Sequence, residues 1–238
     1  MSDTVLLILV LVPALIIAIV FHEVAHGWAA LSLGDPTAKE RNRLSLNPIR
    51  HVDPVGTLLV PGFLAVVGGP IFGWAKPVPV NAHRLDNPRY GMMAVAAAGP
   101  GSNFILAGIG AVLLGIVAPQ VWGFAPGAET FTIIDGTGET SLVLTGLFYF
   151  ILINVFLGIF NLLPIPPFDG SHIIEGLLPR RYVHLYAKLR PLGMVLFFGL
   201  VALVWFAPQL GVLEKTIWPP VQWALNEYLS LAEAIAGG

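Results

Sequence analysis

Cysteine is absent from the 238-residue chain. That removes disulfides, thiolate metal ligands and cysteine nucleophiles from its chemistry. Charge is scarce: Asp, Glu, Lys and Arg make up 11% of the residues, against about 25% in an ordinary soluble domain. The net charge is −2, so the chain offers no basic surface to nucleic acid. The opening MSDT has no Lys or Arg, whereas a cleavable signal starts with a basic region. No polar linker, internal repeat or low-complexity segment divides the chain, and it reads as one domain, 1–238.

Apolar residues dominate instead, at 56%. Crossing a bilayer as a helix takes about 20 of them in a row. Runs of that order lie near 5–33, 92–118, 141–165 and 192–210. The 212–238 tail mixes Trp218, Trp223 and Tyr228 with Glu214, Lys215, Glu227 and Glu233. That mixture fits an interfacial amphipathic helix better than a span. The expected fold is an all-α polytopic membrane protein with one or two C-terminal helices.

Positive charge sets the orientation. Seven of the 12 basic residues (Lys39, Arg41, Arg43, Arg50, Lys76, Arg84 and Arg89) lie between the first run and Met92. Arg180, Arg181, Lys188 and Arg190 follow the 141–165 run, and the 119–140 loop has none. The N-terminus is therefore expected outside, with the loop after helix one in the cytoplasm of a cell membrane. The Gly- and Pro-rich run 55–74 has basic flanks on both sides. A single crossing cannot keep both ends on one side. The 55–80 stretch is thus expected to be a re-entrant hairpin or β element, with Gly68-Gly69-Pro70 as its turn.

Within the first run stands HEVAH, residues 22–26. An ionisable group at the centre of a membrane helix costs on the order of 3 kcal/mol, so three in about one turn call for a purpose. His22 and His26 are four residues apart and share a helix face. Two neutral imidazoles there can hold one zinc ion, one per chain. Glu23 follows the first ligand, where it can take a proton from an attacking water. A catalytic zinc uses three protein ligands and keeps one position open. Glu23 aside, Asp169 is the one carboxylate in or near the apolar runs, outside loops and tail. It sits in NLLPIPPFDGSHII at the cytoplasmic end of the 141–165 run, at the depth of HEVAH. Pro164, Pro166 and Pro167 break that helix and let the chain turn back. His172 is the alternative third ligand, or a hydrogen-bond partner of Asp169. Asn161 is a candidate for the active site, as a donor to a developing oxyanion. Asn103, among small residues in AAAGPGSNFILAG, suits helix packing at least as well. His51 and Asp53 form a possible second metal pair but read better as polar loop structure, and His83 and His184 as surface residues.

These residues resemble the site-2 proteases, the intramembrane zinc metalloproteases, in their compact bacterial and archaeal form. The resemblance runs from about residue 15 to 185. It rests on FHEVAHGWAA followed by NLLPIPPFDG, with AAAGPGSN, GWAKPVPVN and LNPIRHVDPVGT beside them. It implies a three-helix catalytic core, zinc on His22, His26 and Asp169, Glu23 as general base and Asn161 near the scissile carbonyl. It also implies hydrolysis of peptide bonds in or beside the membrane helix of a substrate protein. No PDZ-like or CBS-like segment is found, so substrate choice would fall to the membrane part or to a regulatory partner. An extended substrate would add as a strand along the 61–80 element. The rival reading is a membrane zinc-binding or zinc-transport protein. A transporter needs polar residues continuing to the outer face, and these are lacking. An aspartyl protease needs two membrane carboxylates acting together. A serine protease needs His near Ser102, whose own and adjacent helical turns contain none.

Overall fold

A computed structural model of the chain describes residues 3–66, 73–118, 122–124, 131–135 and 139–237. The protein is an all-α polytopic membrane protein. Helix α1 (Asp3–Ser32) stops at Gly34, whose φ of +98° is left-handed and suits the glycine that follows a helix end. Asp35 then accepts from the Thr37 backbone N–H at 3.0 Å and opens the short α2 (Thr37–Glu40). Asp53 accepts from Val55 N and Gly56 N. It caps a wide helical turn, Pro54–Leu59, that runs into α3 (Val60–Val66).

The chain comes back as an extended limb, residues 73–81. Trp74 N–H donates to Gly56 O at 3.1 Å, and Lys76 N–H to His51 O at 2.9 Å. The outgoing and returning limbs therefore meet at their base. Among the described residues of this element the return is extended chain without a paired strand. The Gly68-Gly69-Pro70 turn lies outside the described residues.

Asn87 caps α4 (Pro88–Val117) through its side chain, with Pro88 in the first turn, where a missing N–H costs nothing. A small antiparallel ribbon follows, β1 (Trp122–Phe124) with β2 (Ile133–Asp135). Helix α5 (Leu142–Asn161), capped by Ser141, ends before Pro164, four residues short of the expected 165. The remaining helices are α6 (Asp169–Leu177), α7 (Arg180–Ala187), α8 (Gly193–Phe206), α9 (Val212–Thr216) and α10 (Trp218–Gly237). Among the described residues, four stretches are long and apolar enough to cross a membrane: Ile8–Ser32, Pro88–Val117, Leu142–Asn161 and Arg180–Phe206.

Lipid is as apolar as leucine, so close packing and hydrogen bonds, not hydrophobicity, hold such helices together. Glycines supply the closeness. The Cβ position of Gly110 on α4 lies 2.9 Å from Ile151 and Phe150 of α5, and that of Gly158 on α5 lies 2.9 Å from the Phe104 ring. The tail forms a helix that packs on the bundle. α10 buries Val221, Ala224, Leu225 and Ala232, its Tyr228 hydroxyl donates to Phe104 O at 2.9 Å, and Ala232 O lies beside Gly115. It thus runs parallel to α4 as a packed member of the bundle. Its small residues at helical spacing decide this over the scattered charges of its exposed face.

Candidate metal centre

HEVAH lies in the last third of α1, and His22 and His26 point the same way, ring centroids 4.6 Å apart. Asp169 is the first residue of α6, brought back toward α1 by the turn through Pro166 and Pro167. One carboxylate oxygen, Oδ2, lies 3.0 Å from His22 Nε2 and 3.3 Å from His26 Nε2. His22, His26 and Asp169 thus converge, ligand atoms within 4.8 Å of one another. Gly170 makes the turn possible. A Cβ there would run into the carbonyl oxygens of Leu162 and Leu163 at the end of α5.

Hydrogen bonds on the far side of each ring fix which nitrogen carries the proton. His26 Nδ1 faces Val95 O at 2.7 Å. A carbonyl only accepts, so Nδ1 donates. His22 Nδ1 faces Asn103 Oδ1 at 2.7 Å. Asn103 is oriented by its own donors, since its Nδ2 donates to Ala18 O at 3.2 Å and to Asn154 Oδ1 at 2.9 Å. Asn154 in turn donates to Phe150 O at 2.8 Å. Two backbone carbonyls therefore set the polarity of the whole amide chain, and His22 is left with its proton on Nδ1. Both neutral imidazoles then aim Nε2 lone pairs at a carboxylate oxygen, and Asp169 Oδ2 is buried with no hydrogen-bond donor. Such an arrangement needs a positive charge at its centre. Two imidazole nitrogens and one carboxylate oxygen beside open space form the donor set of a catalytic zinc.

The centre opens on a cavity of about 650 Å³ lined by α1, the extended limb, α4, the end of α5 and the start of α8. Glu23 lines it, as do Asn161 and His172. Asn161 spends one amide hydrogen on Leu157 O in its own helix, at 3.0 Å. His172 stands outside the converging set, with Nδ1 3.8 Å from Glu175. Burial, and then the Arg190 guanidinium, hold its imidazole below the ordinary pKa. His51 is buried with Nε2 on Ser45 O at 2.7 Å, and Asp53 is a helix cap, so these two form no metal pair. His83 and His184 are exposed.

Two residues of the centre escape a reading of the sequence. Asn154 sits unremarked in FILINVF. Gly99 is one of many glycines, yet a Cβ there would stand 2.5 Å from His26 Nε2 and 2.7 Å from His22 Cε1. It is the seat on which both rings rest. Gly99→Ala is expected to push the imidazoles apart and lower zinc content well below that of the wild type, with helix content by circular dichroism unchanged. Wild-type zinc content in the variant would show that the rings tolerate the methyl group.

Comparison with known proteins shows what the chain as a whole is similar to. The profile of Peptidase family M50 matches residues 10–204. A protein of Bacillus subtilis (strain 168) named "Putative zinc metalloprotease YwhC" is 37% identical over 229 residues, 94% of this chain and 91% of its own length. "Putative zinc metalloprotease Rip2" of Mycolicibacterium smegmatis (strain ATCC 700084 / mc(2)155) is 26% identical over 160 residues, 67% of this chain and 54% of that protein. No solved structure matches the chain. The chain belongs to peptidase family M50. With four stretches of membrane-crossing length, its class is a membrane metalloprotease.

Proposed function

We propose that this protein is a zinc-dependent endopeptidase of the site-2 protease type, cutting membrane-spanning proteins in or beside their transmembrane segments. The observation that carries the reading is the buried trio His22, His26 and Asp169, with Glu23 beside it on the wall of one cavity. His22, His26 and Asp169 would hold one zinc. Bound there, the ion supplies Lewis acidity toward a carbonyl and acidity toward water. Glu23 takes the proton from the attacking water and returns it to the leaving amine. Asn161 offers its second amide hydrogen to the developing oxyanion. Asn161→Leu is expected to lower kcat about 100-fold with zinc content unchanged; a kcat like that of the wild type would remove Asn161 from the site.

A helical peptide bond is shielded, so the substrate must unwind before attack. The extended limb, with Trp74 and Ala75 on the cavity wall, is the edge along which we place it. Basic loops flank both sides of this element, which supports a site on the cytoplasmic side of the cell membrane. The lipid bilayer and a membrane-spanning substrate are the expected partners, and a regulatory protein is the expected source of further selectivity.

The test is cleavage of a membrane-spanning protein by the purified chain in nanodiscs, the cut mapped by mass spectrometry. The expected product ends in or next to the apolar segment and disappears with a zinc chelator. Absence of cleavage together with zinc flux into liposomes would overturn the reading in favour of a transporter.

A further inference from the structure

The carboxylate that the proposed function makes the general base is not free in the cavity. Glu23 Oε2 accepts the backbone N–H of Val78 at 2.7 Å, across 55 residues of sequence. Val78 stands in KPVPV, between Pro77 and Pro79. Neither proline has an N–H, so from 77 to 79 the chain offers one backbone donor, and it goes to Glu23. The limb is fastened on both sides of that donor. Lys76 N–H donates to His51 O at 2.9 Å, and the Arg43 guanidinium donates to Lys76 O at 2.6 Å. Asn81 N–H donates to Asp35 Oδ2 at 2.6 Å, and Asp35 is fully buried. Val78 itself is 7% exposed. Its side chain packs against the helix turn bearing HEVAHG, where the Cβ position of Gly27 is 3.0 Å from Val78 Cγ1 and 2.5 Å from Leu44 Cδ2.

We propose that the Val78 N–H is the positioning group of Glu23. Resting on the base assignment above, this gives the PVP segment its task. The N–H holds Oε2, which turns the second carboxylate oxygen toward the cavity and the water it must deprotonate. A carboxylate tethered through one oxygen loses rotamers it would otherwise sample, and a charge-assisted bond of this kind is stronger than a neutral one. The same bond joins the base to the limb along which substrate is placed. Two prolines keep other donors from competing, and Gly27 lets the limb come close enough.

The experiment removes the N–H and, in the ester, keeps the valine side chain. The full chain is made with the α-hydroxy acid analogue of valine at position 78, an ester in place of the amide, and in parallel as Val78→Pro. Zinc content, kcat and KM on a membrane-spanning substrate are measured for each. Both forms are expected to keep zinc and KM, and to lose kcat by about 10- to 100-fold, the usual effect of removing an outer partner. Val78→Ala, which keeps the donor, is expected to recover kcat relative to both. A KM rise with kcat intact, or equal losses in Val78→Ala and the ester, would reduce Val78 to packing and overturn the proposal. Full turnover in Glu23→Gln would instead remove the base assignment, so the two failures are told apart.

Discussion

Glu23→Gln is expected to bind zinc as the wild type does and to lose hydrolysis, by about 10²- to 10⁴-fold in kcat. The substitution keeps shape and the oxygen that faces Val78, and removes the ability to take a proton. None of the three converging ligand atoms belongs to Glu23, so the metal has no reason to leave. Glu23 shares the cavity with those ligands, and among the described residues lining that cavity Asp169 is the one other carboxylate. Asp169 is occupied between the imidazoles and cannot take over. Comparison of single-turnover cleavage and zinc content in the two proteins is the check. Appreciable turnover in the variant would mean that a different group handles the proton.

The second large effect is on the metal. Asp169→Ala leaves two imidazoles, and zinc content should fall from about one per chain, the catalytic norm, to a small fraction. Stability should move in a characteristic way. Zinc should raise the melting temperature of the wild type by mass action and leave the variant unmoved. Thermal melts in detergent with and without zinc test this. Zinc retained by the variant would point to His172 as the ligand.

HEVAH was legible because a helix period of about 3.6 puts positions four apart on one face, and because charge inside a membrane helix is costly enough to imply use. Asp169 was legible by scarcity of carboxylates and by matching depth. The support around them was not. Asn154 looks like any amide in an apolar run. Only the crossing of α4 and α5 shows that it orients Asn103 and, through it, His22. Asn103 reads from its small neighbours as a packing residue, and in the fold it serves both the helix contact and the His22 ring. Gly99 matters because α1 and α4 cross at that residue, which periodicity cannot say. Charge on both flanks predicts a dip at 55–80, and the hydrogen bond from Trp74 N–H to Gly56 O joins the described limbs at their base. The packing of α10 rests on Val221, Ala224, Leu225 and Ala232, a buried face that the scattered charges of the tail mask in the sequence.

The central claim is that His22, His26 and Asp169 together hold one zinc. Zinc-edge X-ray absorption on the purified wild-type protein tests it most directly. The account predicts nitrogen and oxygen neighbours at about 2.0–2.1 Å, with outer scattering from two imidazoles and no more. Three imidazoles around the ion, or protein that carries no zinc, would contradict it.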